Sequence, residues 1–137
     1  MTKRKYAGTW TALITPFKGG GGVDEAALRK LVQKQLEGGV TGIVPVGTTG
    51  ESPTTTGEED RRTIEIVVEE AKGRAQVMAG TGSNSTQEAL HYTEAAKEAG
   101  ADACLVVCPY YNKPTVDGLR QHYRAIADLG LPVIVYN

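Results

Sequence analysis

A glycine follows each of four segments with helical periodicity in this sequence. These glycines are separated by 34, 27 and 30 residues: Gly39, Gly73, Gly100 and Gly130. Glycine readily adopts the left-handed backbone conformation that ends a helix, and the intervals match the length of one strand–helix unit. The stretches "EGGVTGIV" (Glu37–Val44) and "EAGADACL" (Glu98–Leu105) also look alike at an offset of 61 residues. We therefore predict a chain of repeated strand–helix units.

Five apolar runs alternate with four amphipathic stretches. The runs predicted as strands are Thr9–Thr15, Gly42–Val46, Gln76–Ala79, Ala103–Val107 and Val133–Tyr136. The residues predicted to cap the helices are Asp24, Thr56, Ser85 and Thr115. Glu59 and Glu88 are predicted to complete capping boxes in the second and third helices. Pro45 lacks a ladder donor, which predicts an irregularity near the end of the second strand.

Each of the two middle helices has an apolar stripe. The second is predicted to bury Ile64, Val67, Val68 and Ala71, and the third Ala89, Tyr92, Ala96 and Ala99. Alternation of strands and helices indicates a parallel α/β sheet, either open and doubly wound or closed as a (β/α)8 barrel. The even unit length favours the barrel, which usually takes about 250 residues.

With 137 residues and five strands, the chain accounts for only part of such a barrel. We predict an α/β fold with the first five strands and four helices of a TIM barrel, as a single domain over residues 1–137. The incomplete barrel would leave two sheet edges and one face uncovered.

Composition excludes several functions. The net charge of −1, with a basic stretch only at Lys3–Lys5, argues against nucleic acid and membrane partners. No apolar run reaches the roughly 20 residues of a membrane span, and no signal peptide is visible. Cys104 and Cys108 lie four apart in one predicted strand, about 13 Å from each other, too far for a disulfide. Reduced thiols predict a cytoplasmic protein.

No cluster of His, Cys and carboxylates has the spacing of a metal site, so neither a metal nor a cofactor is predicted. His91 and His122 lie within predicted helices, far apart in the sequence. The paired carboxylates, such as Glu58–Glu59, fall on helices and are interpreted as solvated faces.

The loops after the strands are rich in hydroxyls, small residues and tyrosines. They read "TPFKGGGG", "GTTGESPT", "GTGSNS", "CPYYNKP" and, at the end, "YN". In a barrel, these loops form the active site. Glycines and threonines in "GTTGES" suit a carboxylate or phosphate, although tight turns that cap helices explain them equally well. Tyr136, Tyr111 and Thr48 are candidates for proton transfer, and the alternative is that each tyrosine is merely half-buried.

Taken together, "GTWTALITPF", "GTTGES", "AGTGSNST", "CPYYNKPT" and the final "YN" resemble the dihydrodipicolinate synthase (4-hydroxy-tetrahydrodipicolinate synthase) family of pyruvate-dependent class I aldolases. The resemblance runs from Tyr6 to Asn137. It implies a TIM barrel, usually a homotetramer containing a tight dimer. It also implies a lyase that needs no cofactor and condenses pyruvate with L-aspartate-4-semialdehyde in lysine and diaminopimelate biosynthesis. The pyruvate would form a Schiff base with a lysine at the end of the sixth strand.

The resemblance also implies roles for particular residues. Thr48 and Tyr136 would belong to a hydroxyl proton relay, which Tyr111 of a neighbouring subunit would complete. Thr49 would help to hold the pyruvate carboxylate. The positions matching a lysine-effector site are Ser52, Asn84, Glu88 and Tyr110. However, the loop "SPTTTGEED" has no histidine where inhibited members often carry one, so feedback inhibition is not expected.

The sixth strand and its lysine would lie beyond Asn137. None of the eight lysines falls in a predicted strand, and Lys18 and Lys113 are in polar loops. A Schiff-base lysine needs a lowered pKa, from burial or a nearby cation. We therefore expect this chain to lack that lysine and to be inactive alone. The alternatives are a related pyruvate aldolase, of the N-acetylneuraminate lyase or ketodeoxygluconate aldolase type, and a non-catalytic half-barrel assembly module.

Overall fold

The alternating pattern produces alternating strands and helices in a computed structural model that describes residues 6–137. The elements are β1 (Trp10–Ala12), α1 (Glu25–Glu37), β2 (Gly42–Val44), α2 (Gly57–Ala71), β3 (Gln76–Gly80), α3 (Thr86–Glu98), β4 (Ala103–Val107), α4 (Val116–Ala127) and β5 (Val133–Tyr136). Two short 3₁₀ turns, Thr48–Gly50 and Ser52–Thr54, follow β2. The basic stretch Lys3–Lys5 lies outside the described residues.

The five strands form one parallel sheet in the order β1-β2-β3-β4-β5. Trp10 pairs with Gly42 at the start of the sheet, and Val107 pairs with Tyr136 at its end. A doubly wound sheet reverses its strand order at a switch point, whereas a barrel keeps the order of the sequence. The sequential order agrees with the predicted partial barrel. Within residues 6–137, β1 and β5 each pair on one side only.

Local sequence signals set the helix ends as predicted. The N-caps of the four helices are Asp24, Thr56, Ser85 and Thr115. Thr56 and Glu59 form a full capping box, because each side chain bonds to the backbone of the other. The four glycines after the helices all have positive φ, between 74° and 91°.

The predicted capping box of α3 is wrong. Ser85 accepts a hydrogen bond from the backbone of Glu88, as a cap should. The Glu88 carboxylate, however, accepts from the Ser83 hydroxyl at 2.6 Å instead of returning to the cap. The carboxylate is therefore directed towards the loop after β3, because that loop offers it a hydroxyl donor.

Several strand boundaries also differ from the prediction. β1 covers only Trp10–Ala12 of the predicted run, and β3 extends to Gly80. β2 ends at Val44 because Pro45 has no N–H, and Val46 then adopts a φ of +56°. Cys108 follows β4 rather than lying in it, and both cysteines are free.

The main core lies between the sheet and the helices. The predicted stripes of α2 and α3 bury Ile64, Val67, Ala71, Ala89 and Ala96. The stripes did not include Ile66 or Thr93, which are both fully buried. Ile66 is buried because α2 packs against α1 on one side and α3 on the other, so more than one face is covered. A smaller apolar cluster of Val44, Met78 and Ala103, under Tyr6 and Trp10, contains no helix residue.

Candidate active site

The loop after β2 carries the threonines of "GTTGES". Thr48 and Thr49 begin a 3₁₀ turn, and both are exposed. The buried hydroxyl of Thr15 donates to the carbonyl oxygen of Gly50 at 2.7 Å and so joins this turn to the loop after β1. Glu51 then adopts a φ of +62° between the two turns. The hydrogen bond from Thr15 thus anchors the turn that presents the two hydroxyls.

Thr48 and Tyr136 line the same small cavity, of about 30 Å³. Tyr136 is the last residue of β5, and Thr48 lies in the loop after β2, three strands away in the sheet. The tips of β3 and β4 lie between them and contribute Gly80, Gly82 and Val107 to the lining. The structure therefore brings together two of the three predicted proton-transfer residues.

Tyr111 does not line this cavity. It is 94% exposed and has a φ of +70°, so its side chain projects away from the rest of the chain. The Asn112 side chain donates to the carbonyl oxygen of Asn84 at 3.1 Å, and this contact ties the Tyr111 loop to the start of α3. Thr49 is likewise not part of the cavity lining.

A larger cavity, of about 440 Å³, adjoins the small one, because Thr48 lines both. Three of the four predicted effector residues line it: Ser52, Glu88 and Tyr110. Asn84 does not, although its carbonyl holds the loop that carries Tyr110. The hydrogen bond from Ser83 that breaks the expected capping box directs the Glu88 carboxylate towards this cavity.

Asp60 is a residue of the larger cavity that the sequence analysis did not single out. Burial raises the pKa of its carboxyl to about 6, although a 2.5 Å hydrogen bond from the Thr55 hydroxyl opposes the shift. Its neighbours Glu58 and Glu59 have the same charge, and nothing in the sequence pattern distinguishes Asp60 from them. All three lie in the first turn of α2, so their place on the helix does not distinguish Asp60 either.

No lysine among residues 6–137 lies in a strand or lines either cavity. Lys97, for example, donates to the carbonyl oxygen of Leu129 at 2.7 Å, beside the far ends of the helices. Across the same described range, no three His, Cys, Asp or Glu side chains lie close enough to hold a metal ion. None of the described helices is both long and apolar enough to cross a membrane.

Comparison with known proteins identifies the family of the chain. The profile of the dihydrodipicolinate synthetase family matches residues 5–137. The chain belongs to this family. It is 57% identical over 136 residues to the 4-hydroxy-tetrahydrodipicolinate synthase of Bradyrhizobium diazoefficiens, with 98% of this chain and 46% of the relative covered. The chain thus spans about half the length of such relatives.

Solved structures of the dihydrodipicolinate synthetase family superpose closely on the chain. The Aquifex aeolicus dihydrodipicolinate synthase has 51% identity and a TM-score of 0.93, with 96% of this chain and 45% of that one covered. The chloride-inhibited enzyme of Acinetobacter baumannii, complexed with pyruvate, has 51% identity and a TM-score of 0.92 over 95% and 45%. The fold is therefore part of the family's barrel, as predicted. The names of these relatives favour the synthase over the lyase and aldolase alternatives.

Proposed function

We propose that the chain is the N-terminal portion of a 4-hydroxy-tetrahydrodipicolinate synthase, which condenses pyruvate with L-aspartate-4-semialdehyde. The observation that carries this proposal is the small cavity, because both Thr48 and Tyr136 line it. The pyruvate bound to the Acinetobacter baumannii relative supports the first substrate. The free thiols of Cys104 and Cys108 fit a cytoplasmic location.

The hydroxyls of Thr48 and Tyr136 serve as the proton relay. When a lysine amine and the pyruvate carbonyl form an imine, one water leaves, and a proton must move from nitrogen to the departing oxygen. A tyrosine hydroxyl, with a pKa of about 10 in solution, transfers such a proton if a second hydroxyl is in reach. Because Thr48 and Tyr136 come from different strands of one sheet, the sheet holds both groups at the same cavity.

Thr49 binds the pyruvate carboxylate in this proposal. It is exposed next to Thr48, on the turn that the Thr15–Gly50 hydrogen bond anchors. A hydroxyl donor that is fixed before the substrate arrives loses less entropy on binding than a mobile one. The same turn therefore provides both a relay group and a carboxylate donor.

Tyr111 acts from a second copy of the protein in the proposed assembly, a homotetramer containing a tight dimer. A large aromatic residue that is 94% exposed is seldom left in water unless it meets a partner. Its positive φ, which is unfavourable for a tyrosine, supports a functional reason for its position.

The larger cavity is the candidate effector site. Ser52, Glu88 and Tyr110 line it, and Asn84 positions the Tyr110 loop through Asn112. The cavity wall also carries Asp60, so two carboxyl groups face it. Because the loop before α2 has no histidine, we expect little inhibition by lysine.

Borohydride trapping tests the proposal. The isolated chain is incubated with pyruvate, reduced, and weighed by intact mass spectrometry. The same is done with the chain joined to the C-terminal segment of the Bradyrhizobium diazoefficiens relative, which completes the barrel. We expect no adduct on the isolated chain. We expect one pyruvate adduct on the joined protein, located in the added segment, and consumption of L-aspartate-4-semialdehyde.

Three results would contradict the proposal. A folded joined protein that traps no pyruvate is not a Schiff-base enzyme of this type. Cleavage of N-acetylneuraminate or ketodeoxygluconate in place of the condensation would make it a related aldolase. A specific adduct on the isolated chain would mean that one of its own eight lysines forms the imine.

A further inference from the structure

The tip of β3 lies in direct contact with the backbone that leads to Thr48. A methyl group built on Gly80 would lie 2.0 Å from the carbonyl oxygen of Val46 and 2.9 Å from the nitrogen of Gly47. The Gly80 N–H also donates to the carbonyl oxygen of Pro45 at 2.9 Å. Because the obstructing atoms are backbone, they cannot rotate away as a flexible side chain would. Only glycine allows β3 to approach this closely.

Gly82 comes similarly close to the backbone at the end of β4. A methyl group built there would lie 2.4 Å from the backbone nitrogen of Val107. Val107 pairs with Tyr136, and the next N–H, that of Cys108, donates to the Tyr136 carbonyl at 2.8 Å. Gly82 therefore contacts the strand end that determines where Tyr136 stands.

Thr81, between the two glycines, fixes the orientation of this segment at the end of β3. Its N–H donates to the carbonyl oxygen of Leu105 at 3.1 Å. Its hydroxyl accepts a hydrogen bond of 2.8 Å from Thr93 on α3, and both threonines are buried. Since the Thr81 side chain points into the core, Gly80 and Gly82 are left to line the small cavity.

We propose that the Gly80–Thr81–Gly82 segment is a positioning element that sets the separation of Thr48 and Tyr136 across the small cavity. This inference rests on the proposed function. Any side chain at Gly80 displaces the loop of Thr48 and Thr49, and any side chain at Gly82 displaces β4 and with it Tyr136. Thr93 contributes to the same separation, because its hydroxyl holds Thr81 between the two glycines.

Gly42 offers a control elsewhere in the sheet, where the obstructing atoms belong to the Trp10 side chain instead of the backbone. A methyl group built on Gly42 would lie 2.2 Å from Cε3 of Trp10, at the beginning of β2 and therefore at the opposite end of the sheet. If the glycines matter only for folding, Gly42→Ala and Gly80→Ala will have similar consequences. If Gly80 and Gly82 position the relay, only their substitutions will alter catalysis by the folded protein.

The experiment compares these variants in the barrel completed with the Bradyrhizobium diazoefficiens segment. Steady-state kinetics are measured well below the lowest Tm. We expect Gly82→Ala to lower kcat about tenfold or more at unchanged KM for pyruvate, because it displaces only the relay. Gly80→Ala should lower kcat and also raise KM, because its loop carries Thr49 as well. Gly42→Ala should lower Tm and leave kcat within about twofold.

Thr93→Val covers the case in which the alanine variants do not fold. It keeps the shape and both glycines but removes the donor to Thr81, and we expect kcat to fall about threefold. Equal kcat in Gly42→Ala, Gly80→Ala and Gly82→Ala overturns the inference, and so does an unchanged kcat in Thr93→Val when only that variant folds.

Crystal structures separate this inference from the proposed function. The distance between Thr48 Oγ1 and Tyr136 Oη is measured in the unsubstituted protein, in Gly42→Ala, and in Gly82→Ala or Thr93→Val. A distance that changes in Gly82→Ala or Thr93→Val but not in Gly42→Ala supports the inference. An unchanged distance overturns it, whether or not the protein is active. If the unsubstituted protein shows no condensation activity, by contrast, this result contradicts only the proposed function.

Discussion

The hydroxyl of Thr15 donates a 2.7 Å hydrogen bond to the carbonyl oxygen of Gly50, across 35 residues of sequence. Thr15 is 5% exposed, and Gly50 ends the 3₁₀ turn that presents Thr48 and Thr49. One buried contact therefore connects the loop after β1 with the loop that binds substrate in the proposed function.

Replacing Thr15 by Val should destabilise the protein by about 1–2 kcal/mol, because the buried Gly50 carbonyl loses its donor while the shape is kept. The KM for pyruvate should rise, since the turn is less fixed. Urea unfolding and steady-state kinetics of the completed barrel measure both. Thr15→Ser, which retains the hydroxyl, is the matched control. Equal stability in the two variants would argue against the role of this hydrogen bond.

Tyr136→Phe should lower kcat about a hundredfold and leave the fold intact, because only the relay hydroxyl is removed. The rate of borohydride-trapped adduct formation should fall with it. Tyr123→Phe is the control: Tyr123 packs edge-on against His122 at 5.3 Å on α4 and lines neither cavity. A Tyr136→Phe variant as fast as Tyr123→Phe would exclude Tyr136 from the relay.

Asp60 should make the protein more stable as the pH falls from about 7 towards 4. Burial raises the pKa of Asp60 to about 6 from its ordinary value of 3.8, so the folded protein binds more protons than the unfolded chain between these values. Asp60→Asn should therefore stabilise at pH 7.5 by about 1 kcal/mol, since partial exposure screens some of the cost of burying the charge.

The free energy of unfolding, measured in urea at pH 7.5 and 5.0, checks this expectation. Glu58→Gln removes an exposed carboxylate from the same helical turn and should have little effect at either pH. If Asp60→Asn and Glu58→Gln behave alike, the Asp60 carboxyl is not the group responsible.

His122 should make the protein less stable as the pH falls, which is the opposite of the effect expected from Asp60. It is 4% exposed, and its Nδ1 lies 2.9 Å from the Thr86 hydroxyl. Burial lowers the pKa of His122, so below the ordinary histidine pKa of about 6.5 the unfolded chain binds the proton more readily. The free energy of unfolding should therefore decrease as the pH falls through that value.

Replacing His122 by Asn, which keeps a polar atom near the position of Nδ1, should remove this decrease. Urea unfolding at pH 7.5 and 5.5, performed in the Asp60→Asn background, isolates the histidine. His91→Asn is the control, because His91 is exposed on α3. A pH dependence that survives in His122→Asn would contradict the assignment.

The parts of the fold that depend on neighbouring residues in the chain were predictable. Asp24 caps α1, and Gly39 follows it in the left-handed conformation, because both depend only on a few adjacent backbone groups. The strand order followed from the repeat, since parallel strands that alternate with helices pair in sequence in a barrel.

The features that the sequence analysis missed depend on distant contacts. Glu88 was expected to bond to its own helix cap, but the Ser83 hydroxyl competes for its carboxylate. Thr93 lies outside the apolar stripe and is buried because Thr81 satisfies its hydroxyl. The raised pKa of Asp60 arises from burial, which its acidic neighbours in sequence did not indicate.

For the candidate site, the motifs indicated which residues matter but not how they are held. Thr48 and Tyr136 were identified as separate residues on strand ends, and the structure puts them on one cavity. Gly80 was interpreted only as part of a turn. Its contact with the carbonyl of Val46 exists only once β2 and β3 are paired, so no local pattern predicts it.

The order β1-β2-β3-β4-β5 also affects how the chain acquires its structure during synthesis. Each strand after β1 pairs with the one made just before it, and each helix after α1 packs beside its predecessor, as α2 beside α1 and α4 beside α3. Each strand–helix unit therefore finds its docking surface already present when it leaves the ribosome. The pairings among β1 to β5 can form vectorially, one unit at a time, whereas the outer edges of β1 and β5, which are unpaired within residues 6–137, stay open until a later segment covers them.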